Sequence, residues 1–369
     1  LPPTRLATAN PLATADRPMT VWTEHLSRLG ATLAESQTTA APLPSVRFAD
    51  ATDEARAASE STVVVPLLHL GIIRSVGPDS AAFLHNLVSN DVNKLPADGA
   101  AWNSFNSPKG RMIASFLMWA EDEGHGLVLS ADILPAFLKK LSMYVLRSKV
   151  KLANASDTLA LIGVCGKNAA AVLQAAGIEM PAVDMRQTLT TDGVRCVRID
   201  AERYLLAVAT DDAAGVFDAL VAGGAVKAGT AAWQLSMIRA GLPLVTAPTQ
   251  EEFVAQMLNY ELIGGVSFHK GCYPGQEIVA RTQYLGKLKK RMYRVAAAPG
   301  IEVVAGMDIH APDFGEQSAG KVVNVAPTAD GGVEALAVIQ SSSAEAGQLR
   351  LGAGEGATLE LLPLPYALG

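Results

Sequence analysis

Residues 264–281 read GGVSFHKGCYPGQEIVAR, and the interpretation of the whole chain depends on this stretch. Its pattern predicts a strand, a glycine-rich loop and a helix that opens at about Pro274, because proline is favoured at the first helical position. Cys272 would then lie just ahead of a helix N-terminus, with Lys270 close by in sequence. Both features lower the pKa of a thiol, so Cys272 is a candidate functional thiol. The residues alone equally allow a packed turn with Cys272 buried in it.

The composition is that of a folded protein with more than one domain. The chain has 369 residues, of which 49% are apolar and 18% charged, so it is too apolar to be disordered. It contains no run of about 18 uncharged apolar residues, which argues against a membrane-spanning protein. The net charge of −6 argues against a dedicated nucleic-acid binder. We therefore expect a soluble, cytoplasmic protein.

The three cysteines and six histidines show no spacing typical of a metal site or a disulfide framework. Cys165 and Cys196 stand within apolar, strand-like runs and are expected in the core. The sequence therefore predicts no resident metal, although a cluster shared with a partner protein stays open.

The periodicity of apolar residues divides the chain into three parts. Residues 1–62 are predicted to form a tail, an amphipathic helix over 19–37 and a linker over 38–62. Residues 63–290 alternate strands and helices in two halves that meet near 155, the second with a β-α-β-β-α order typical of a ferredoxin-like half. Residues 291–369 show short strands without a clear helix, which predicts a small β-barrel. The expected fold class is α+β with a C-terminal β-barrel module.

The octapeptide at 270–277, with the pattern K-G-C-Y-x-G-Q-E, resembles the signature of the folate-binding YgfZ family, whose members are relatives of the glycine-cleavage T-protein. Further stretches are similar to elements of that family, namely VGPDS at 76–80, SPKGR at 107–111, RSKV at 147–150, GLP at 241–243 and LPLPY at 362–366. The likeness covers about residues 63–369, and the octapeptide is highly specific.

The resemblance implies a T-protein-like, three-part cloverleaf with a central site for folate or tetrahydrofolate. It also implies a role in the assembly or repair of iron–sulfur enzymes, including one that methylthiolates tRNA, so the expected partners are such client enzymes or the assembly machinery. The signature cysteine tied to that role is Cys272. The folate-contacting tryptophan of the family falls on Trp233, and a second, aromatic contact falls at about Leu70. The other candidates are Lys270 beside the thiol and, for cofactor binding, Lys109, Arg111, Gln276 and Glu277.

Two departures from T-proteins bear on the reaction. T-proteins carry a carboxylate in the strand after an Asn-x-x-x-Gly turn, and the corresponding residues 111–115 here, RMIAS, contain no acid. T-proteins also carry a glutamate two residues before the glycine of a G-x-P element, where this chain has Arg239. A guanidinium does not suit the N–H donors of a pterin, and acid–base help needs a titratable group within reach. A non-catalytic assembly factor is therefore favoured over the alternative, a tetrahydrofolate-dependent aminomethyltransferase.

A basic run raises a second alternative. Six cations fall within residues 281–294 without an intervening acid: Arg281, Lys287, Lys289, Lys290, Arg291 and Arg294. Such a run is suited to the glutamyl tail of a folate, to RNA or to an acidic protein surface, and is equally typical of a solvated face. An RNA-binding module with direct tRNA contact therefore stays open.

Overall fold

A computed structural model describes residues 21–36, 43–284, 286 and 288–368. The predicted tail over 1–18, the first residues of the helix predicted over 19–37, and Lys287 lie outside the described residues. Within the described ranges, no helix has the length and apolar character needed to cross a bilayer.

Helices and strands alternate until the C-terminal part, where strands dominate. The helices are α1 (Val21–Arg28), α2 (Ala51–Glu60), α3 (Ser80–His85), α4 (Leu134–Ser142), α5 (Ala169–Ala175), α6 (Ala213–Ala222), α7 (Thr230–Arg239), α8 (Gln276–Tyr284) and α9 (Ser341–Ala346), with short 3₁₀ helices at Val92–Lys94, Ala247–Thr249, Ala255–Leu258 and Pro312–Phe314. The strands are β1 (Thr32–Ser36), β2 (Leu43–Arg47), β3 (Val63–Pro66), β4 (Leu70–Val76), β5 (Ala100–Asn106), β6 (Met112–Glu121), β7 (Gly124–Ser130), β8 (Lys151–Asn154), β9 (Leu159–Cys165), β10 (Arg186–Leu189), β11 (Arg195–Arg198), β12 (Arg203–Ala209), β13 (Val226–Lys227), β14 (Lys290–Ala297), β15 (Asp308–His310), β16 (Gly320–Pro327), β17 (Val333–Gln340), β18 (Leu349–Leu351) and β19 (Thr358–Leu362).

Two sheets form the body over 63–290. The first has the order β5-β6-β7-β4-β8 and the second the order β10-β11-β12-β9-β3-β13. Their central strands are apolar at nearly every position because both faces of each sheet are covered, and β6, for example, is buried along most of its length. The β-α-β-β-α order predicted for the second half is confirmed by β9, α5, β11, β12 and α6, and β10 is an additional edge strand.

The chain crosses from one sheet to the other between β3 and β4. β3 pairs with β9 and β13 in the second sheet, whereas β4 pairs with β7 and β8 in the first. The crossing is a tight turn in which the N–H of Leu70 donates to the carbonyl oxygen of Leu67 at 3.0 Å. All four residues of β3 are buried, which suits an interior position in the second sheet. β3 therefore belongs to the second sheet, although it precedes in sequence the boundary near 155 that was predicted between the two halves.

The C-terminal part is a closed barrel with the strand order β14-β17-β16-β15-β18-β19, and β14 also pairs with β19. The expected small β-barrel is thus confirmed. The expectation of no helix there is wrong, because α9 follows β17. This helix ends at Ala346 and is capped by Gly347, which adopts a left-handed conformation with φ of 71°.

The linker predicted over 38–62 is wrong for its described part. β2 pairs with β1, and α2 packs against α7 with Ala55 fully buried. The Glu54 carboxylate is also buried and accepts the N–H groups of Phe48 and Ala49 at 2.6 and 3.2 Å. An alanine-rich stretch looks like a linker by composition, but alanine is the strongest helix former and lets two helices approach closely. The helix predicted over 19–37 is also shorter than expected, since α1 ends at Arg28 and β1 follows it.

Arg239, which stands where T-proteins carry a glutamate, ties the body to the barrel. Its Nη2 and Nε lie 2.8 and 3.1 Å from Oε1 of Glu334 on β17, and its Nη1 donates to Oγ of Ser59 on α2 at 2.8 Å. Glu334 is mostly buried, so removal of Arg239 leaves a poorly solvated carboxylate whose remaining cation, Arg294, lies farther away at 3.8 Å.

We expect the Arg239→Ala substitution to lower the free energy of unfolding by about 2 kcal/mol. Urea denaturation checks this, with Arg56→Ala as the matched control. Arg56 pairs with Asp53 in an exposed i,i+3 ion pair at 2.7 Å, and its loss should cost less than about 0.5 kcal/mol. Equal effects of the two substitutions would contradict the role assigned to Arg239.

Candidate functional site

The predicted site residues fall into two groups. Trp233 and Leu70 line one cavity between the two sheets, α7 and the barrel. The other six, Lys109, Arg111, Lys270, Cys272, Gln276 and Glu277, lie outside its lining. The structure therefore separates a cavity from a thiol-bearing loop, and each is described in turn.

The cavity is aromatic and aliphatic. Its lining includes the indoles of Trp102 and Trp233 together with Leu70, Leu117, Val128 and Ile238, and its volume is about 70 Å³. Trp233 is 2% exposed. Its six-membered ring fits against Gly163 of β9, where an added Cβ would lie 2.5 Å from Cε3. Gly163 thus makes room for the indole. The walls have the apolar and aromatic character of a small-molecule site, whereas the volume is smaller than that of a typical drug-sized site.

The polar lining is sparse and uncharged. Among the described residues, those with polar side chains at the cavity are His69, Gln234, Thr246 and Asn324. The Asn324 amide is already paired in both directions with the backbone of Leu244, at 2.9 Å each way. No carboxylate, lysine or arginine belongs to the described lining, which suits a neutral, flat ligand better than an ionic one.

His69 is a lining residue that sequence reasoning missed. Its side chain is 1% exposed, and burial lowers the pKa of its imidazole to about 3, so the ring is neutral near pH 7. Its Nδ1 atom has no hydrogen-bond partner among the described residues. The sequence does contain one indication of its importance. His69 stands between two apolar strands, where a polar ring is expected to be buried, and buried polar groups usually have a hydrogen-bond partner.

We use the name Cys272 loop for residues 264–275, which connect the body to α8. No strand occurs in this loop, so the predicted strand is wrong, and α8 begins at Gln276 rather than at Pro274. The backbone of this loop does not pair with a strand. At Gly265 it packs directly against the ring of Tyr260. Glycines permit this close approach, which a strand of larger residues would not.

The Cys272 thiol is exposed, whereas the other two thiols are buried. Burial raises the pKa of Cys165 to about 11 and that of Cys196 to about 12, and both lie in the core as predicted. Of the cysteines, all within the described residues, Cys272 is therefore the accessible one. An accessible thiol is a requirement for metal ligation or thiol exchange.

Lys270 anchors the loop to the first half of the body. Its Nζ donates to the carbonyl oxygens of His85 and, at 2.6 Å, Val88, and lies 4.8 Å from the ring centroid of Tyr273. Burial lowers the pKa of Lys270 to about 8. The ammonium is thus committed to backbone carbonyls and an aromatic face, and its observed role is to fix the position of the loop.

The loop also packs against the turn that carries Lys109 and Arg111. A Cβ at Gly110 would lie 2.8 Å from Cβ of Ile278, so α8 and this turn are in close contact. Lys109 and Arg111 are exposed, and a guanidinium nitrogen of Arg111 donates to the carbonyl oxygen of Glu252. Gln276 is half-buried and Glu277 exposed at the start of α8. These cofactor-binding candidates therefore surround the Cys272 loop rather than the cavity.

The basic run is only partly available to an anion. Arg291 pairs with Glu261, and Arg294 lies 3.8 Å from Glu334. Lys290 stays near Arg111 and Lys321, whose charges help to lower its pKa after the larger effect of burial. Arg281 and Lys289 are exposed. Two of the six cations thus serve internal ion pairs, which reduces the surface expected for RNA.

Comparison with known proteins agrees with this geometry. Residues 23–263 match the family model for the GCVT N-terminal domain, so the body of the molecule is of the GCVT class. The solved structure of glycine cleavage system aminomethyltransferase T from Bartonella henselae is similar with a TM-score of 0.72 and 15% sequence identity, covering 94% of this chain and 96% of that one. That likeness establishes the T-protein-like fold alone.

Curated relatives are more specific. Proteins named tRNA-modifying protein YgfZ are similar along most of the chain. The one from Yersinia pseudotuberculosis is 31% identical over 300 residues, which is 80% of this chain and 90% of the relative. The one from Photobacterium profundum is 30% identical over 329 residues, which is 85% of this chain and 95% of the relative. The chain therefore belongs to the YgfZ family.

Proposed function

We propose that this protein binds a folate in the cavity beside Trp233 and assists the assembly or repair of iron–sulfur enzymes through the thiol of Cys272. The proposal places this work in the cytoplasm, with iron–sulfur client enzymes, including ones that methylthiolate tRNA, as partners. The observation that supports it is the presence in one molecule of an aromatic cavity around Trp233 and, separate from it, an exposed cysteine in a loop that Lys270 anchors to the body.

The cavity walls fit the pterin end of a folate, and the described lining holds no cation for the glutamyl tail. Flat indole walls and aliphatic side chains suit a pterin ring. When bound, a reduced folate supplies a carrier for one-carbon units. The chain's own residues enclose the ring and exclude water from it.

The Cys272 loop supplies the second element. Lys270 holds the loop to the body, so the thiol is presented at the surface in a defined place. A cysteine at the surface can ligate the iron of a cluster that a client enzyme holds, or of a cluster that is being delivered to that enzyme. The lack of a charged group in the described cavity lining favours such support over aminomethyl transfer.

We expect Cys272→Ser to abolish support of a tRNA-methylthiolating enzyme while leaving stability and folate affinity unchanged. The measurement is the methylthiolated fraction of tRNA in cells whose own homologue is deleted and which express each variant. His269→Ala, an exposed change in the same loop, should keep full support. Full support by Cys272→Ser would remove the thiol from the mechanism.

The aminomethyltransferase remains the second candidate because the fold is that of aminomethyltransferase T. It predicts release of ammonia from an aminomethyl-lipoyl carrier protein in the presence of tetrahydrofolate. We expect no such release above the uncatalysed rate, since neither Arg239 nor residues 111–115 supply a carboxylate. Turnover abolished by Trp233→Ala would favour the enzyme over the assembly factor.

A further inference from the structure

A cluster of exposed apolar side chains lies in the segment that follows α4. Met143, Tyr144 and Leu146 fall within four consecutive positions, and their exposed fractions are 64%, 40% and 88%. Single exposed apolar residues are common on protein surfaces, but a contiguous group of them indicates an interaction site. We use the name 143–146 patch for these three side chains.

The backbone of the patch is held by hydrogen bonds and by packing. The N–H of Tyr144 donates to the carbonyl oxygen of Leu141 at 3.1 Å. Val145, which stands between the exposed residues, packs against the core of the first sheet. The ring of Tyr144 meets that of Phe105 edge-on, with their centroids 5.8 Å apart. The patch is therefore displayed on a fixed scaffold.

Leu146 adopts a conformation that does not suit a leucine. Its φ is 43°, in the left-handed region where a Cβ is strained. The side chain gains little from packing in return, since most of it is exposed. Asparagine tolerates this conformation better than leucine does. A strained residue whose side chain contributes little to the core indicates a functional constraint on that residue.

The charge around the patch is positive, although the net charge of the chain is −6. No acidic residue occurs from position 133 to 156, and that stretch holds five cations: Lys139, Lys140, Arg147, Lys149 and Lys151. Asp79 lies beside them, where its carboxylate accepts the backbone N–H of Lys149 at 2.7 Å. One carboxylate does not balance five cations. A partner that covers the patch therefore needs an apolar surface bordered by carboxylates.

The patch is connected to the Cys272 loop through Phe105. One side of Phe105 contacts Tyr144, and its backbone forms an isolated β-bridge with Val88. Val88 is also a residue whose carbonyl oxygen accepts Nζ of Lys270, the anchor of the Cys272 loop. The buried pair of Phe105 and Val88 thus links the patch to that anchor, and a partner seated on the patch would lie close to the loop.

We infer that the 143–146 patch is a docking surface for a client protein that has an apolar pocket bordered by carboxylates. The inference rests on the proposed function for its partner, the client enzyme. RNA is a poorer fit, since leucine and methionine offer no ring on which a base can stack. An anionic bilayer also accepts apolar and cationic side chains, but the nearness of the Cys272 loop favours a protein.

The test is calorimetric titration of the protein with a purified tRNA-methylthiolating enzyme, the same client that is used to measure support in cells. Leu146→Asn removes the most exposed apolar side chain and should weaken binding at least tenfold. Its melting temperature should equal or exceed that of the wild type, because the backbone strain is relieved. Val183→Asn is the matched control, since Val183 is 62% exposed between α5 and β10, and it should bind like the wild type.

A second variant tests the charge of the surface. Joint replacement of Arg147 and Lys149 by glutamine keeps the 143–146 patch and removes two cations. We expect a roughly tenfold weaker affinity for the same client, with a smaller dependence on salt concentration. An unchanged affinity and salt dependence would contradict the acidic border assigned to the partner.

The outcomes separate the docking surface from the thiol mechanism. If Leu146→Asn binds the client and supports tRNA methylthiolation like the wild type, the docking surface is wrong, and loss of support in Cys272→Ser would still uphold the proposed function. If Cys272→Ser keeps full support while Leu146→Asn binds weakly, the thiol mechanism fails and the docking surface stands. A wild-type protein that does not bind the client overturns the inference, and binding of phosphatidylglycerol vesicles through Leu146 would then assign the patch to a membrane.

Discussion

Replacing Gly275 with alanine is expected to lower the free energy of unfolding by about 3 kcal/mol and to displace the Cys272 loop. Gly275 has φ of 75°, a conformation that strains any residue with a Cβ. An added Cβ would lie 2.6 Å from Cα and 2.7 Å from N of Gly110, and closer still to the carbonyl oxygen of Ser107. These are backbone atoms of a turn packed against α8, so they cannot move aside as a flexible side chain would.

Gly264→Ala is the matched control for this substitution. Gly264 has nearly the same φ, 74°, and no atom lies within 4 Å of the position of an added Cβ. Only the backbone strain remains there, so we expect a loss of about 1 kcal/mol. Urea denaturation measures both. A loss in Gly275→Ala no larger than in Gly264→Ala would show that the contact between the loop and the turn does not matter for stability. We also expect Gly275→Ala to reduce client support although the thiol itself is unchanged.

Acidification is expected to destabilise the protein through His69. The imidazole of an unfolded chain titrates near 6.5, whereas burial lowers the folded pKa to about 3. Between these values the unfolded state binds one more proton than the folded state, so stability falls as the pH falls. The slope from this one residue is about 1.4 kcal/mol per pH unit, which accumulates to roughly 5 kcal/mol by pH 3.

The contribution of His69 is isolated by comparison with His69→Asn. Carboxylates and the buried His125, whose pKa is also lowered by burial, affect both proteins alike. The difference in free energy of unfolding between the two proteins should therefore change by about 2 kcal/mol in favour of the variant between pH 6.5 and pH 5. Urea denaturation at several pH values gives this difference. A pH-independent difference would mean that His69 titrates normally and is accessible to water.

The sequence was informative wherever local pattern and packing agree. The alternation of apolar runs predicted the second half, and short strands punctuated by glycine and proline predicted the barrel. The second half and the barrel are both confirmed, because in each the apolar positions visible in the sequence are the positions that the fold buries. The signature around Cys272 predicted the family, and the relatives bear this out. It could not reveal that Lys270 reaches back to Val88, because that contact joins residues far apart in sequence.

The errors have physical causes of the same kind. Residues 43–60 are alanine-rich and polar, and their structure depends on burial of Ala55 and Glu54 against a distant part of the body. The loop before α8 was predicted to contain a strand because short apolar residues surround its glycines, but no strand offers it a partner. His69 was overlooked because its burial at the cavity wall results from contacts between distant parts of the chain, which the local sequence does not reveal.

The crossing between β3 and β4 has a consequence for how the protein is synthesised. β3 emerges early from the ribosome, yet its neighbours β9 and β13 follow much later, and Asn324 of the barrel later still. Non-local pairings of this kind form slowly, and their exposed strands are prone to aggregate while they wait. Of the described lining, Asn324 is the residue that the barrel contributes, and the other lining residues lie between 43 and 246. An incomplete chain that ends before β16 therefore lacks the wall that the barrel adds to the cavity.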